Sequence, residues 1–241
     1  MNNKSRNLSL TKASQQINAV TCLFGGRPVP ASSVSSFYQL SAPLINGRME
    51  PLSRHEGRVC LVVNMASADP TTRQELMQLN DLVTVFGPHG LSVLVFPCNQ
   101  FGGLEPFYND EIPLILQNVR PGAKFETKFQ LFAKCEVNGS SASPVYEYLK
   151  VKLPLPTNDD SVLSHDSQHP ATWKPVTRYD VSWNYEKFVV CYDGQPSKRF
   201  TNKVSYELIR KEVESCLRKI PKSVREHHGF TPFETLLHTY R

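Results

Sequence analysis

The chain has 241 residues, with 27 Lys and Arg against 22 Asp and Glu, for a formal net charge of +5. That length holds one domain with extensions, or two small ones, and buries a sizeable core without staples or metals. A hydrophobic content of 40% excludes wholesale disorder, the apolar runs fall far short of a bilayer span, and the mild, dispersed charge argues against a nucleic-acid surface.

The first 49 residues contain no Asp or Glu and carry Lys4, Arg6, Lys12, Arg27 and Arg48 among many Ser and Asn. Basic, Ser-rich and acid-free is the composition of a transit peptide, and a plain tail fits it equally well. A secretory signal fits poorly, because the apolar stretch Ala19 to Phe24 is short and broken by Thr21. Residues 1–35 are therefore set apart as a tail, a folded domain is expected over 36–220, and an extension over 221–241. The expected location is cytoplasmic, with the mitochondrion as the alternative.

Within the domain, Phe37 to Leu44 is strand-like and Asn46-Gly47 is a turn signal. Val59 to Ala66 is a nearly continuous β-branched apolar run, as in a strand covered on both faces. Asp69-Pro70 then offers an N-cap followed by a first-turn proline, and Leu76, Leu79, Val83 and Phe86 follow at helical spacing up to Gly87. Leu91 to Pro97 is a second buried strand, so the unit is strand, helix, parallel strand with a right-handed crossover.

Asn109 to Val119 is expected as a helix with Asp110 and Glu111 in its first turn, Gln130 to Val137 as a strand, and Pro144 to Val151 as a short helix. Lys152 to Thr172 is polar and Pro- and Ser-containing, a long surface loop. Lys187 to Tyr192 is a strand, Asp193-Gly194 a hairpin turn, and Lys198 to Thr201 its partner. Val204 to Ile220 is an amphipathic helix with Leu208, Val213 and Leu217 on its apolar side, and Ser223 to Arg241 is an appended tail. The order predicts an α/β fold with one central mixed sheet and helices on both faces, which is also the element order of the thioredoxin fold.

The six cysteines are Cys22, Cys60, Cys98, Cys135, Cys191 and Cys216. No CxxC or Cys/His cluster points to a metal, and the spacing is too sparse for a disulfide framework, so a reducing compartment is expected. Cys60, Cys135, Cys191 and Cys216 have no sequence context that lowers a thiol pKa and are expected to be inert. His227-His228 is expected to be solvated rather than metal-binding.

Several strings go beyond pattern: Phe96 to Gly102 (FPCNQFG), Asn118 to Gly122 (NVRPG), Phe132 to Gly139 (FAKCEVNG) and Val181 to Phe188 (VSWNYEKF). Together they resemble the glutathione peroxidase family over about Ser36 to Lys219. The resemblance is stronger to the tetrameric, cytosolic-type branch, whose long loop matches Lys152 to Trp173. It implies a thioredoxin-like fold, reduction of hydrogen peroxide and organic hydroperoxides by glutathione in the response to oxidative stress, no bound cofactor, and a homotetramer. In the family a selenocysteine or cysteine after the first parallel strand attacks the peroxide and is reset by thiols, with Gln, Trp and Asn as hydrogen-bond partners.

The resemblance breaks at the decisive place. The family pattern Ala-Ser-x-(Sec or Cys)-Gly-x-Thr reads here Ala66-Ser67-Ala68-Asp69-Pro70-Thr71-Thr72. Asp69 stands in the peroxidatic position, and Leu104 stands where the Gln is expected, whereas Trp183 and Asn184 remain. A carboxylate has no chalcogen oxidation ladder, so peroxidase chemistry is expected to be lost or strongly impaired. Cys98 is the best-placed substitute thiol, and a scaffold or interaction role is the further alternative. Arg73, Arg120, Lys198 and Arg199 match the basic residues with which tetrameric members steer anionic glutathione, and guanidinium groups suit its carboxylates.

Overall fold

The computed structural model describes residues 34–157 and 170–233. Residues 1–33 of the expected tail, 158–169 of the expected long loop and 234–241 of the extension lie outside the described residues.

A small hairpin comes first, β1 (Ser41–Pro43) paired antiparallel with β2 (Met49–Pro51). Its turn closes through Gly47 N–H donating to Leu44 O at 2.8 Å, with Gly47 at a φ of 81° that favours glycine. The central sheet holds β3 (Val59–Met65), β4 (Leu91–Pro97), β5 (Gln130–Leu131), β6 (Lys187–Val190) and β7 (Pro196–Phe200) in the order β5-β4-β3-β6-β7. β4 runs parallel to both β3 and β5, β6 antiparallel to β3, and β7 antiparallel to β6. The helices are α1 (Thr72–Phe86), α2 (Ile112–Asn118), α3 (Pro144–Lys152), α4 (Tyr206–Arg218) and α5 (Lys222–His228). This is the expected α/β, thioredoxin-like arrangement.

Strand alternation divides the interior into two layers. Val59, Leu61, Val63 and Met65 of β3 pack with Leu76, Leu79, Leu82 and Phe86 of α1 and with Ile209 and Val213 of α4. Cys60 and Val62 point to the other face, among Phe37, Phe132, Tyr146 and Leu149. Both faces of β3 are covered, which accounts for its unbroken apolar sequence.

Several local expectations shift. Phe37–Gln39 is a 3-10 turn capped by Ser36, and the strand begins only at Ser41. The ladder of α1 starts at Thr72 with Thr71 as N-cap, two residues beyond the Asp69-Pro70 signal. Its buried stripe uses Leu82 where Val83 was expected, Val83 being only partly covered. Gly87 does not stop the chain's helical path, which runs on as a 3-10 turn until Gly90 takes a φ of 106°. The strand expected over Gln130 to Val137 pairs only at Gln130–Leu131. On α4 the core face is Ile209, Val213, Cys216 and Leu217, and Leu208 is exposed. The appended tail is docked as far as residue 233: Phe230 and Phe233 are buried in the same core layer as α1. His228 stacks on Phe230 with ring centroids 5.1 Å apart. It also occupies the space over Gly57, where a Cβ would come within 2.5 Å of its ring. No helix among the described residues is long and apolar enough to cross a membrane.

Candidate active site

The C-terminal ends of the parallel strands β3 and β4 open onto two loops that lace together. Cys98 N–H donates to Met65 O at 2.9 Å, and Ala68 N–H donates to Leu104 O at 2.9 Å. The first loop carries Asp69 and leads into α1, and the second carries Leu104. A third segment, Trp183–Asn184, enters from the start of β6. Asn64 of β3 fixes it by donating its amide to Trp183 O at 3.0 Å while Tyr185 N–H donates to Asn64 O at 2.8 Å. Tyr185 bends the chain there at a left-handed φ of 66°, a costly conformation for a large side chain that its buried contacts hold in place.

Asp69, Leu104 and Asn184, far apart in the chain, are thereby brought together. Asp69 is 2% exposed. Its Oδ1 accepts from Thr71 N–H at 2.9 Å and Thr71 Oγ1 at 2.7 Å, and its Oδ2 accepts from Asn184 Nδ2 at 3.1 Å. The expected N-cap of α1 is therefore corrected to an Asx-turn, which ties the loop just before the helix. Trp183 is half-buried, with its ring centroid 6.0 Å from that of Phe101. Arg120 reaches across to donate to the carbonyls of Ala68 and Asp69 at 2.9 and 3.1 Å. Such an arrangement can hold a carboxylate and orient amides, but it presents no oxidisable atom at the loop.

Beneath lies a polar layer that sequence reading missed. Glu105 is buried, and its Oε2 accepts from the N–H and hydroxyl of Ser67 at 2.7 and 2.6 Å. Burial raises its pKa, with the Ser67 hydrogen bonds and Lys134 pulling the other way. Thr72 Oγ1 donates to Ala66 O at 2.7 Å, and Tyr185 OH lies within hydrogen-bond reach of both at 3.1 Å from Ala66 O and 2.9 Å from Thr72 Oγ1. Glu105 sits in a Gly-Gly-Leu-Glu-Pro stretch that reads as exposed loop, so only the fold signals that its carboxylate is interior.

The environment of Cys98 disfavours its thiolate. It is fully buried among Phe96, Phe132 and Tyr146, and burial pushes its pKa up to about 12. Its thiol lies 3.6 Å from Gln100 Oε1. Cys60 is pushed to about 12 by the same cause, and burial lifts Cys135 as well. Cys22 lies outside the described residues. Cys191 differs from these: its sulfur lies 2.9 Å from that of Cys216, and that hydrogen bond, above all, brings its pKa down to about 7.

The four basic residues do not converge. Arg73 is exposed and lines a cavity of about 500 Å³ with Met77, Pro121, Gly122, Phe125 and Lys128. Asp69 does not line that cavity. Lys198, on the edge strand β7, pairs with Glu212 of α4 at 2.6 Å. Arg199 is 1% exposed, pairs with Glu186 at 2.8 Å, and donates to the carbonyls of Pro154, Tyr179 and Asp180. With its donors spent inside the protein, Arg199 is a clamp between segments and is not open to a ligand's carboxylate.

The family model for glutathione peroxidase matches residues 37–150. Glutathione peroxidase 1 of Rattus norvegicus is 43% identical over 194 residues, covering 80% of this chain and 96% of the relative. That of Bos taurus is 45% identical over 188 residues, covering 78% and 91%. Among solved structures, the crystal structure of T. cruzi GPX1 aligns with a TM-score of 0.55 at 27% identity, covering 76% of this chain and 97% of that one.

Proposed function

The chain belongs to the glutathione peroxidase family, and from that premise we propose that it has lost peroxide turnover at the family site while keeping the frame and an affinity for small anionic thiols such as glutathione. One observation carries this: the loop between β3 and α1 holds the Asp69 carboxylate, fastened by Thr71 and by Asn184 Nδ2 at 3.1 Å. An oxygen there neither accepts a peroxide oxygen nor forms a mixed disulfide with glutathione. Leu104 removes a side-chain amide from the neighbouring loop, and the remaining sulfur nearby, Cys98, is sealed in the core. Supporting thiol affinity are Arg73 and Lys128 on one cavity, a pairing suited to a carboxylate-bearing ligand. A homotetramer and a cytoplasmic location, or mitochondrial import by way of the acid-free N-terminus, complete the proposal.

The test is a coupled glutathione and NADPH assay with hydrogen peroxide on the purified protein, together with calorimetric titration of glutathione. No turnover above the uncatalysed rate is expected, with measurable binding that weakens in Arg73→Ala. Turnover comparable with that of active family members would overturn the loss of chemistry. Absence of binding would reduce the protein to its scaffold.

A further inference from the structure

Cys191, just past the end of β6, and Cys216, on the buried stripe of α4, bring their sulfurs to 2.9 Å. Less than about 1 Å of further approach reaches the disulfide bond length of about 2.05 Å. The pair is asymmetric: Cys216 is fully buried, whereas Cys191 is only partly buried against the same core. Cys191 is held at the mouth of the β6–β7 hairpin, its N–H donating to Gln195 O at 2.9 Å and its carbonyl accepting from Gly194 N–H at 2.9 Å. Tyr38 OH lies 3.0 Å from the same carbonyl.

The surroundings divide the labour. The Cys216 hydrogen bond and the charge of Lys219 favour the Cys191 thiolate, against burial and Asp193. The same hydrogen bond and burial keep Cys216 protonated. Its sulfur lies 3.7 Å from Glu212 Oε1, a carboxylate anchored by Ser197 Oγ at 2.9 Å and Lys198 Nζ at 2.6 Å and able to receive the Cys216 proton. The pair is remote from Asp69. β6 runs antiparallel to β3, so Cys191 lies beside the start of β3 and Asp69 beyond its end, a strand length of roughly 23 Å away.

We propose that Cys191 and Cys216 are a hydroperoxide-sensitive dithiol, oxidised in one stoichiometric event to an intrachain disulfide that fastens the β6–β7 hairpin to α4. The Cys191 thiolate attacks an oxygen of the hydroperoxide ROOH. The O–O bond breaks, Cys191 becomes a sulfenic acid, and the alcohol ROH leaves with a proton from solvent. Cys216 sulfur then attacks the Cys191 sulfur, the S–O bond breaks, and water departs with the Cys216 proton. Two thiols lose two electrons, and one hydroperoxide gains them.

The test uses the full-length reduced protein without glutathione, so it stands apart from the turnover assay. After one equivalent of hydrogen peroxide, remaining thiols are alkylated and the protein is digested with trypsin without reductant. Cleavage at Lys187, Lys198, Lys211 and Arg218 places the two cysteines on separate peptides, 188–198 and 212–218. Expected are these two peptides joined, with Cys191 consumed at least about 10-fold faster than Cys98. In Cys216→Ser, dimedone should trap a sulfenic acid at Cys191. Separate alkylated peptides after peroxide treatment, or prior oxidation of Cys98, would overturn the proposal. Mapping in the unmodified chain decides the matter even if Cys216→Ser fails to fold.

Discussion

At the C-terminal end of β3 the groups that meet in the interior are oxygens and nitrogens: Asp69, Asn184, Thr71 and, one layer down, Glu105 with Ser67. At the N-terminal end the groups that meet beside the sheet are two sulfurs, one on a partly buried residue and one on a fully buried one. Cys98 lies in the distinctive FPCNQFG string near the first end, and burial pushes its pKa up to about 12 against backbone hydrogen bonds from Gln100 and Val137. Cys191 lies in an ordinary hairpin at the second end and is acidified, because Cys216 offers it a hydrogen bond and Lys219 a positive charge. Reactivity follows partner and exposure rather than the string in which a cysteine sits.

Arg199 joins segments between these two ends, and its loss is the largest expected effect on stability. Arg199→Met leaves the Glu186 carboxylate buried without its cation, which should cost about 3–5 kcal/mol in urea denaturation. An unchanged unfolding midpoint with weakened glutathione binding would return Arg199 to a ligand site and blur the division. Next comes the sulfur end. Its cysteines are 25 positions apart, so closing the disulfide should stabilise the oxidised protein by about 3 kcal/mol, lost on adding dithiothreitol and absent in Cys216→Ser. A shift of that size in Cys216→Ser would place the redox-sensitive element elsewhere.

The oxygen end can be sharpened by putting sulfur back. Asp69→Cys should give only weak glutathione-dependent turnover. Adding Leu104→Gln should raise it by about 10²-fold, the usual worth of one preorganised hydrogen-bond donor at a developing charge. Equal rates with and without Leu104→Gln would mean that the second loop never faces the reacting atom, despite the Ala68 N–H to Leu104 O bond.

How much of this was legible in the sequence differs between elements for physical reasons. β3 and β4 are continuous β-branched runs, and their edges came out within a residue. β5 did not, because Phe132 to Val137 is held by single bridges and loop contacts that leave no periodicity. The Asp69 site was legible because its three segments carry distinctive local strings. Glu105 was not, since burial of a loop carboxylate depends on where Ser67 is brought. The dithiol was not either: its members sit on a hairpin and on a helix, and only the packing of α4 against the sheet makes them neighbours. Arg199 was read from the family resemblance as a glutathione-steering cation; its burial follows from carbonyls gathered from two distant loops.

The smallest effect concerns Asp69 itself and asks whether its charge matters. Asp69→Ala removes the acceptor for Thr71 and leaves Asn184 Nδ2 buried without a partner, a cost of about 1–2 kcal/mol. Asp69→Asn keeps the Oδ1 acceptor but sets one amide nitrogen against another. Asn184 can answer by turning its amide, because its Oδ1 is buried with no hydrogen-bond partner and would then accept from the introduced amide nitrogen. The asparagine variant should therefore stay within about 0.5 kcal/mol of the parent while the alanine variant does not. Equal destabilisation by both, measured by urea denaturation, would show that the negative charge holds the loop, acting on Arg120 and the start of α1 as well as on Asn184.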